Sequence, residues 1–392
     1  MMFPMGLGGA GIGAAQWEKK PEPISQAGLH FFFHRAMACD WSIRVPDQEH
    51  GGHAFSYAQQ AVEAAWEEVD RLEKELSRFV ESSDIAQVNA RAGSSEWAAV
   101  GASAWECLEW ALEVARQTGG AFDVALGQVL EERRGEGSTF KAGAEAEWPG
   151  PLLQFLELEV EPLRARLNHP RARLDLGAIG KGYALDCAAA VLREWSIQSA
   201  LLHAGQSSVL AMGDEPLAEG SPQREAQAQP GVNAPGPARL GAQPRNPQVL
   251  EAPALPWARD TQPARGGWRV ELRAPWDAEA SLGAVFLKDA ALGGSGRAVQ
   301  GYHIVDPRSG SSAQSWAAAW VACPAFAALA DALSTAFMVL SRADIETFCA
   351  SRPQIGVLAW REGEAVAVGA GFESVRLDEF ERVRDQEGPA VE

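Results

Sequence analysis

Leu174-Asp175-Leu176-Gly177-Ala178-Ile179-Gly180-Lys181-Gly182 reads as the end of a short strand that passes, through a run of small residues, into a helix reaching about Trp195. Small residues let the backbone approach a neighbour closely, and the start of a helix leaves N–H groups without partners. On the C-terminal side of this stretch strand patterns dominate: Ser199 to His203, Ser208 to Met212, Trp268 to Ala274 with alternating apolar positions, and Ala284 to Lys288. Helices and strands therefore mix without strict strand–helix–strand alternation, and the class expected is α+β, mixed sheets packed with helices.

On the N-terminal side, residues 29–46 carry an aromatic run that predicts an opening strand. Tyr57 to Phe79 places Val62, Trp66, Val69, Leu72 and Leu76 at spacings of three and four, one face of a helix that should pack on a sheet. A second helix is expected over about Ala104 to Gln117, with Leu108, Ala111, Leu112 and Ala115 on one face and Gly119-Gly120 as its stop. Towards the C-terminus an Ala-rich helix is expected over about Ala325 to Leu340, and Ile355–Trp360 with Ala365–Gly369 read as a closing hairpin. Residues 214–266, rich in Pro, Ala, Gln and Gly, have the composition of a disordered, solvated insertion. The expected organisation is an irregular segment over 1–28, one domain over 29–380 that contains the insertion, and an acidic tail over 381–392.

The chain has 392 residues, 46% of them hydrophobic and 22% charged, enough for a sizeable core. No apolar run approaches the ~20 residues that span a bilayer. With 52 acidic against 34 basic residues and a formal net charge of -18, the surface as a whole repels a phosphate backbone, so nucleic acid is not an expected partner. An anionic nucleotide would need a locally positive site. The five cysteines, Cys39, Cys107, Cys187, Cys323 and Cys349, lack the spacing of a zinc or dithiol site and read as small buried hydrophobes. The first twenty residues have no Lys or Arg ahead of their mildly apolar stretch, unlike a secretory signal, so cytoplasmic residence is expected. Gly6, Gly8 and Gly11 match G-x-G-x-x-G, but no strand precedes them and no helix follows, so the match carries no dinucleotide site.

Three places carry candidate chemistry. In 174–182 an Asp, a small-residue turn and Lys181 at a helix start suit an anionic ligand; an ordinary turn with an exposed lysine fits the residues equally. His303, in Tyr302-His303-Ile304-Val305-Asp306-Pro307-Arg308-Ser309-Gly310, follows an apolar strand end and reads as a base, a ligand contact or a structural histidine. Asp331 stands in Ala327-Ala328-Leu329-Ala330-Asp331-Ala332-Leu333-Ser334-Thr335-Ala336, a helix of small apolar residues where a buried carboxylate needs a cation or hydrogen bonds. Thr335, four residues on, puts a second oxygen on the same side, which suits a hard ion such as Mg²⁺; a surface aspartate among alanines is the alternative.

Taken in order, these segments resemble the ApbE family of FAD:protein FMN transferases. The resemblance runs over roughly 35–345, interrupted by 214–266. It is carried by Ala36-Met37; by Leu76-Ser77-Arg78-Phe79 with Asp84-Ile85 and Asn89; by Thr118-Gly119-Gly120-Ala121-Phe122-Asp123; and by Leu174 to Asp186. Gly294-Ser295-Gly296, His303 to Gly310 and Ala330 to Ala336 complete it. It implies that Met37, Phe79, Ala121, Phe122, Asp123, Asp175, Lys181 and Ile304 contact FAD. It also implies that the Ala178 carbonyl, Asp331 and Thr335 hold Mg²⁺, with His303 as a base or flavin-orienting group. The activity implied is transfer of FMN from FAD to a Ser or Thr hydroxyl of an acceptor protein, with AMP released. A hydrolase that cleaves FAD to FMN and AMP, and a flavin-binding protein without turnover, are the alternatives. The family usually has Asn-Ala-Gly-Gly-Asp where this chain has His203-Ala204-Gly205-Gln206-Ser207, and a tyrosine is common at the position of Phe79.

Overall fold

A computed structural model describes residues 21–133, 148–216, 267–274, 277–297, 303–324, 326–361, 364–369 and 372. The expected insertion from 217 on, residues 1–20 of the N-terminal segment and the acidic tail lie outside the described residues.

The described residues begin with three antiparallel strands, β1 (Ile24–Gln26), β2 (Leu29–Ala36) and β3 (Cys39–Pro46). The aromatic run thus forms a hairpin where one strand was expected, because Met37 and Ala38 turn the chain at φ values of 50° and 57°. Part of the segment expected to be irregular is also strand: Ser25 pairs with His30, and its hydroxyl lies 2.6 Å from the His30 Nδ1. Helix α1 (Phe55–Leu76) buries Val62, Trp66, Val69, Leu72 and Leu76, the face the spacing predicts. It stops short of Phe79, since Ser77 closes the last turn by donating its N–H to the Glu73 carbonyl, and the Ser83 hydroxyl then bonds the Ser77 carbonyl.

Helices α2 (Asp84–Ala90), α3 (Ala102–Gln117) and α4 (Gly127–Arg133) follow, beside a small antiparallel sheet of β4 (Ala98–Ala99), β5 (Leu156–Glu159) and β6 (Arg164–Leu167). Next come α5 (Gly180–Glu194), β7 (Ala200–Ala204), β8 (Ser208–Met212), β9 (Trp268–Ala274) and β10 (Asp277–Leu287). The chain continues through β11 (Ala290–Gly296), β12 (Ala318–Pro324), α6 (Ala327–Phe337), α7 (Arg342–Ala350), β13 (Gly356–Arg361) and β14 (Glu364–Val368). The α+β class is observed. One antiparallel sheet of nine strands, in the order β1-β2-β3-β7-β8-β11-β12-β13-β14, forms the centre.

Alternation along the strands gives this sheet two apolar faces. On one, Phe32, Trp41, Ile43, Leu202, Leu210 and Val321 join the main core beneath α1, α3, α5 and α6. On the other, Leu29, Phe31, Leu201, Val209, Leu292 and Leu358 are covered by the β9–β10 hairpin through Trp268, Val270, Leu272 and Val285. The Trp268 indole N–H donates to the Met212 carbonyl at 2.9 Å, which fixes the hairpin to β8. The two edges of the expected insertion meet: the Asp214 carboxylate accepts the Gly267 N–H at 2.9 Å and pairs with Lys288 at 2.5 Å.

Helix α6 lies backbone to backbone against two neighbours, α5 and β11. A Cβ on Gly182 of α5 would lie 2.1 Å from the Ala327 carbonyl oxygen, and one on Gly293 of β11 would lie 2.3 Å from the Ala330 carbonyl. Glycine at both places lets backbones touch where any side chain would force them apart. The N-terminus of α6 has no cap of its own, and Asp186 of α5 supplies one, its oxygens accepting the N–H groups of Ala327 at 2.8 Å and Ala328 at 2.9 Å.

Candidate active site

The segment that connects α2, the small sheet and α5 is held from outside. Asn89 grips Leu174 with both ends of its amide, accepting the Leu174 N–H at 2.6 Å and donating to its carbonyl at 2.9 Å. Asp175 N–H donates to the Val124 carbonyl at 2.7 Å, which joins this segment to the loop after α3. The Asp175 carboxylate then caps a 3-10 turn over Leu176–Ala178 by accepting the Gly177 N–H at 2.9 Å. Its other oxygen pairs with Arg78 Nε at 2.8 Å, and Arg78 also reaches Glu131 at 2.6 Å. The Arg78 guanidinium stacks 4.4 Å over the Phe79 ring, whose residue is 71% exposed. An aromatic ring so displayed and backed by a cation offers a flat surface to a planar ligand.

From the turn the chain enters α5, and Lys181 in its first turn donates to the Gly177 carbonyl at 3.2 Å. The Gly182 N–H does not go back to Ala178, four residues earlier, but to Asp331 Oδ2 at 2.9 Å. Asp331 is only 5% exposed, and the Ser208 hydroxyl donates to the same oxygen at 2.9 Å. Burial pushes the Asp331 carboxyl up to about 6, against the Lys181 charge and these two hydrogen bonds, which favour the ion. Thr335 lies one turn along α6, its hydroxyl 3.1 Å from that of Ser295, which also meets Ser334 at 2.8 Å.

The structure thus brings Lys181, Ala178, Asp331 and Thr335 to one place, where the start of α5 meets the middle of α6. Both hydrogen bonds to the Asp331 side chain among the described residues fall on Oδ2, so Oδ1 is the oxygen left to a cation. Among the described residues no three His, Cys, Asp or Glu side chains form a metal cluster. The oxygens that the expected residues offer are one carboxylate, one hydroxyl and one backbone carbonyl. An all-oxygen set of low charge fits a hard dication that keeps part of its water shell, as Mg²⁺ does.

The other expected contact residues differ in their burial and their partners. Met37 sits half-buried in the left-handed turn between β2 and β3, beside Cys39, whose thiol burial pushes up to about 11 and the nearby Lys181 charge draws down. Ala121 and Phe122 are 2% and 1% exposed, so their side chains belong to the core and only their backbone can face a ligand. Both oxygens of Asp123 are occupied by backbone N–H groups, Ala125 at 2.6 Å and Leu153 at 3.0 Å. This carboxylate holds a loop in shape, and burial pushes it up to about 6. Ile304 is buried, its carbonyl accepting the Ala313 N–H at 2.9 Å, and His303 precedes it half-buried. The loop they begin reaches the Gly120 turn through Arg308, and Arg308 also donates to the Val339 carbonyl at 3.3 Å.

Sequence reasoning missed Ser208, the cap that Asp186 gives α6, and the Arg78–Asp175 pair. Only Ser208 left a local trace, a hydroxyl opening an otherwise apolar strand.

A family model described as the ApbE family matches residues 37–236 and 257–359. Among curated protein sequences none matches. The fold is similar to that of flavin transferase ApbE from Vibrio cholerae, at 18% identity and a TM-score of 0.62, covering 87% of this chain and 97% of that one. The ApbE protein of Thermotoga maritima is similar at 21% identity and a TM-score of 0.64, with coverage of 87% and 97%. The apo form of Pseudomonas stutzeri flavinyl transferase ApbE is similar at 21% identity and a TM-score of 0.62, with coverage of 88% and 97%. At these identities the likeness shows the fold.

Proposed function

The chain belongs to the ApbE family, and from that premise we propose that it is a Mg²⁺-dependent FAD:protein FMN transferase, attaching FMN from FAD to a Ser or Thr hydroxyl of an acceptor protein and releasing AMP. The observation that carries the proposal is the buried Asp331 carboxylate, held on one oxygen by Gly182 and Ser208 and facing Lys181. Asp123 and Asp186, which hold a loop and a helix end, engage both of their oxygens, whereas the two hydrogen bonds to Asp331 fall on Oδ2 alone and leave Oδ1 for a cation.

In this reading Asp331 Oδ1, the Thr335 hydroxyl and the Ala178 carbonyl hold the metal. Bound there, Mg²⁺ supplies positive charge to the FAD pyrophosphate and stabilises charge that develops at the attacked phosphorus. Lys181, at the N-terminus of α5, adds a second positive charge, and the first N–H groups of that helix favour an anion as well. Phe79 and Met37 offer apolar surface to the ring systems, the backbone at Ala121 and Phe122 lines the site, and Asp123, Asp175 and Ile304 hold its loops in place. The acceptor oxygen forms a bond to the FMN-side phosphorus while the bond from that phosphorus to the bridging oxygen breaks. AMP leaves with the bridging oxygen, and the acceptor hydroxyl loses its proton. His303 is the residue we assign to orient the flavin or take that proton. Positioning and charge stabilisation supply most of the rate in such a transfer.

Purified protein incubated with FAD and Mg²⁺, with and without an acceptor carrying a Ser/Thr-Gly-Ala-Thr segment, tests this directly. AMP formed only with the acceptor is the expected outcome. AMP formed regardless makes the protein a FAD pyrophosphatase, and no AMP in either tube makes it a flavin binder without turnover.

A further inference from the structure

We propose that Ser208 is a positioning residue that makes Asp331 a one-oxygen ligand and so favours Mg²⁺ over Ca²⁺. This rests on the metal site proposed above.

Ser208 begins β8 and is 0% exposed. It lies opposite Ala204 on β7 and Gly293 on β11, at the centre of the nine-stranded sheet. Because Gly293 has no side chain, the backbone of Ala330 and Asp331 settles directly on β11; a Cβ there would stand 2.6 Å from the Asp331 nitrogen. That approach brings the Asp331 carboxylate down to the Ser208 hydroxyl, 2.9 Å from Oδ2, with the Ser207 hydroxyl a further 3.3 Å away. From the other side Gly182 N–H reaches the same Oδ2, also at 2.9 Å.

A carboxylate oxygen has two lone pairs. With a hydroxyl and an amide on Oδ2, both are engaged, and a cation can be bound only through Oδ1. Mg²⁺ takes carboxylates one oxygen at a time in a strict octahedron, whereas Ca²⁺ accepts bidentate carboxylates and larger ligand numbers. Removing the Ser208 hydroxyl frees one lone pair of Oδ2 and loosens the carboxylate's orientation. The first change favours the larger ion, and the second weakens the smaller, more demanding one. A hydroxyl that only filled space in the strand would produce neither.

The test is calorimetric titration of metal-stripped protein, without flavin, using MgCl₂ and CaCl₂ on the parent, Ser208→Ala and Ser208→Cys, with melting temperatures measured in EDTA. Ser208→Ala is expected to weaken Mg²⁺ binding by about tenfold, the scale of losing a hydrogen bond to a metal ligand. Ca²⁺ binding should fall less or rise, and Ser208→Cys, a weaker donor of similar size, should fall between. Should Ser208→Ala not fold, Ser208→Cys alone carries the comparison through the same Mg²⁺/Ca²⁺ ratio. A ratio unchanged from the parent, whether both metals weaken equally or neither does, overturns the role of Ser208 and leaves the metal site standing. A parent that binds neither ion overturns both.

Discussion

A lysine at the start of a helix and an aspartate in the middle of one differ in what the sequence can say of them. Among the described residues Lys181 donates only to a backbone carbonyl of its own turn, which leaves its charge to a phosphate. Lys181→Ala should weaken FAD binding by roughly 1.5–3 kcal/mol, the scale of a charge-assisted hydrogen bond. Fluorescence titration with FAD in magnesium buffer measures it, and equal affinities would show an ordinary surface lysine. Asp186 allows a test by pH. Burial pushes it from 3.8 up to about 7, so between those values the folded protein binds a proton that the unfolded chain does not. The stability this contributes is fully present below the lower value and is lost as pH rises through the upper one. Against Asp186→Asn, the parent's melting temperature in EDTA should therefore fall more steeply from pH 5 to pH 8. A steeper fall in the variant would contradict the assignment. Asp331 was legible from sequence because a carboxylate among alanines breaks the pattern of a buried helix. Asp186 was not, and Ser208 showed only as a hydroxyl opening an apolar strand, because each acts across a contact between elements remote in sequence.

Elements repeat the distinction. The amphipathic face of α1 and the strands Ser208–Met212 and Trp268–Ala274 were read directly, since a period of 3.6 or 2 is written in the residues themselves. Strands β11 and β12 passed unnoticed: β11 has no β-branched or aromatic residue, and in β12 Trp320 and Val321 stand among alanines with no alternating pattern. Their small residues answer instead to α6, which must lie close against β11. Gly182→Ala tests how tightly that helix is clamped. The new methyl would meet the Ala327 backbone, which cannot rotate away, and overpacking of this kind costs about 1–3 kcal/mol. A lower melting temperature with weaker Mg²⁺ binding is expected, because the same residue's N–H holds Asp331 Oδ2. An unchanged melt would mean that α5 and α6 part easily.

For the molecule as a whole, the sequence yields the α+β class and a family pattern spread over segments far apart in the chain, and the nine-stranded sheet explains that spread. Its central strands carry Ser208 and Ser295, while α5 and α6, packed on one face, bring Lys181 and Asp331 to the same end. Asp214 and Gly267 meet, so a short connection suffices between them. Replacing 218–262 with a brief Gly/Ser linker should leave FAD affinity within a few-fold of the parent, as loop closure depends only weakly on length. A soluble deletion variant that fails to bind FAD would assign the insertion a part in the site. The central claim, that Asp331 holds the metal on which FMN transfer depends, is met most directly by AMP release from FAD against magnesium concentration, with acceptor present, for the parent and Asp331→Asn. The account predicts magnesium-dependent AMP release in the parent and a loss of orders of magnitude in the variant, while its melting temperature in EDTA holds or rises because a buried charge is gone. A variant that keeps the parent's magnesium dependence and melts well below it in EDTA would contradict the account, marking Asp331 as a structural carboxylate.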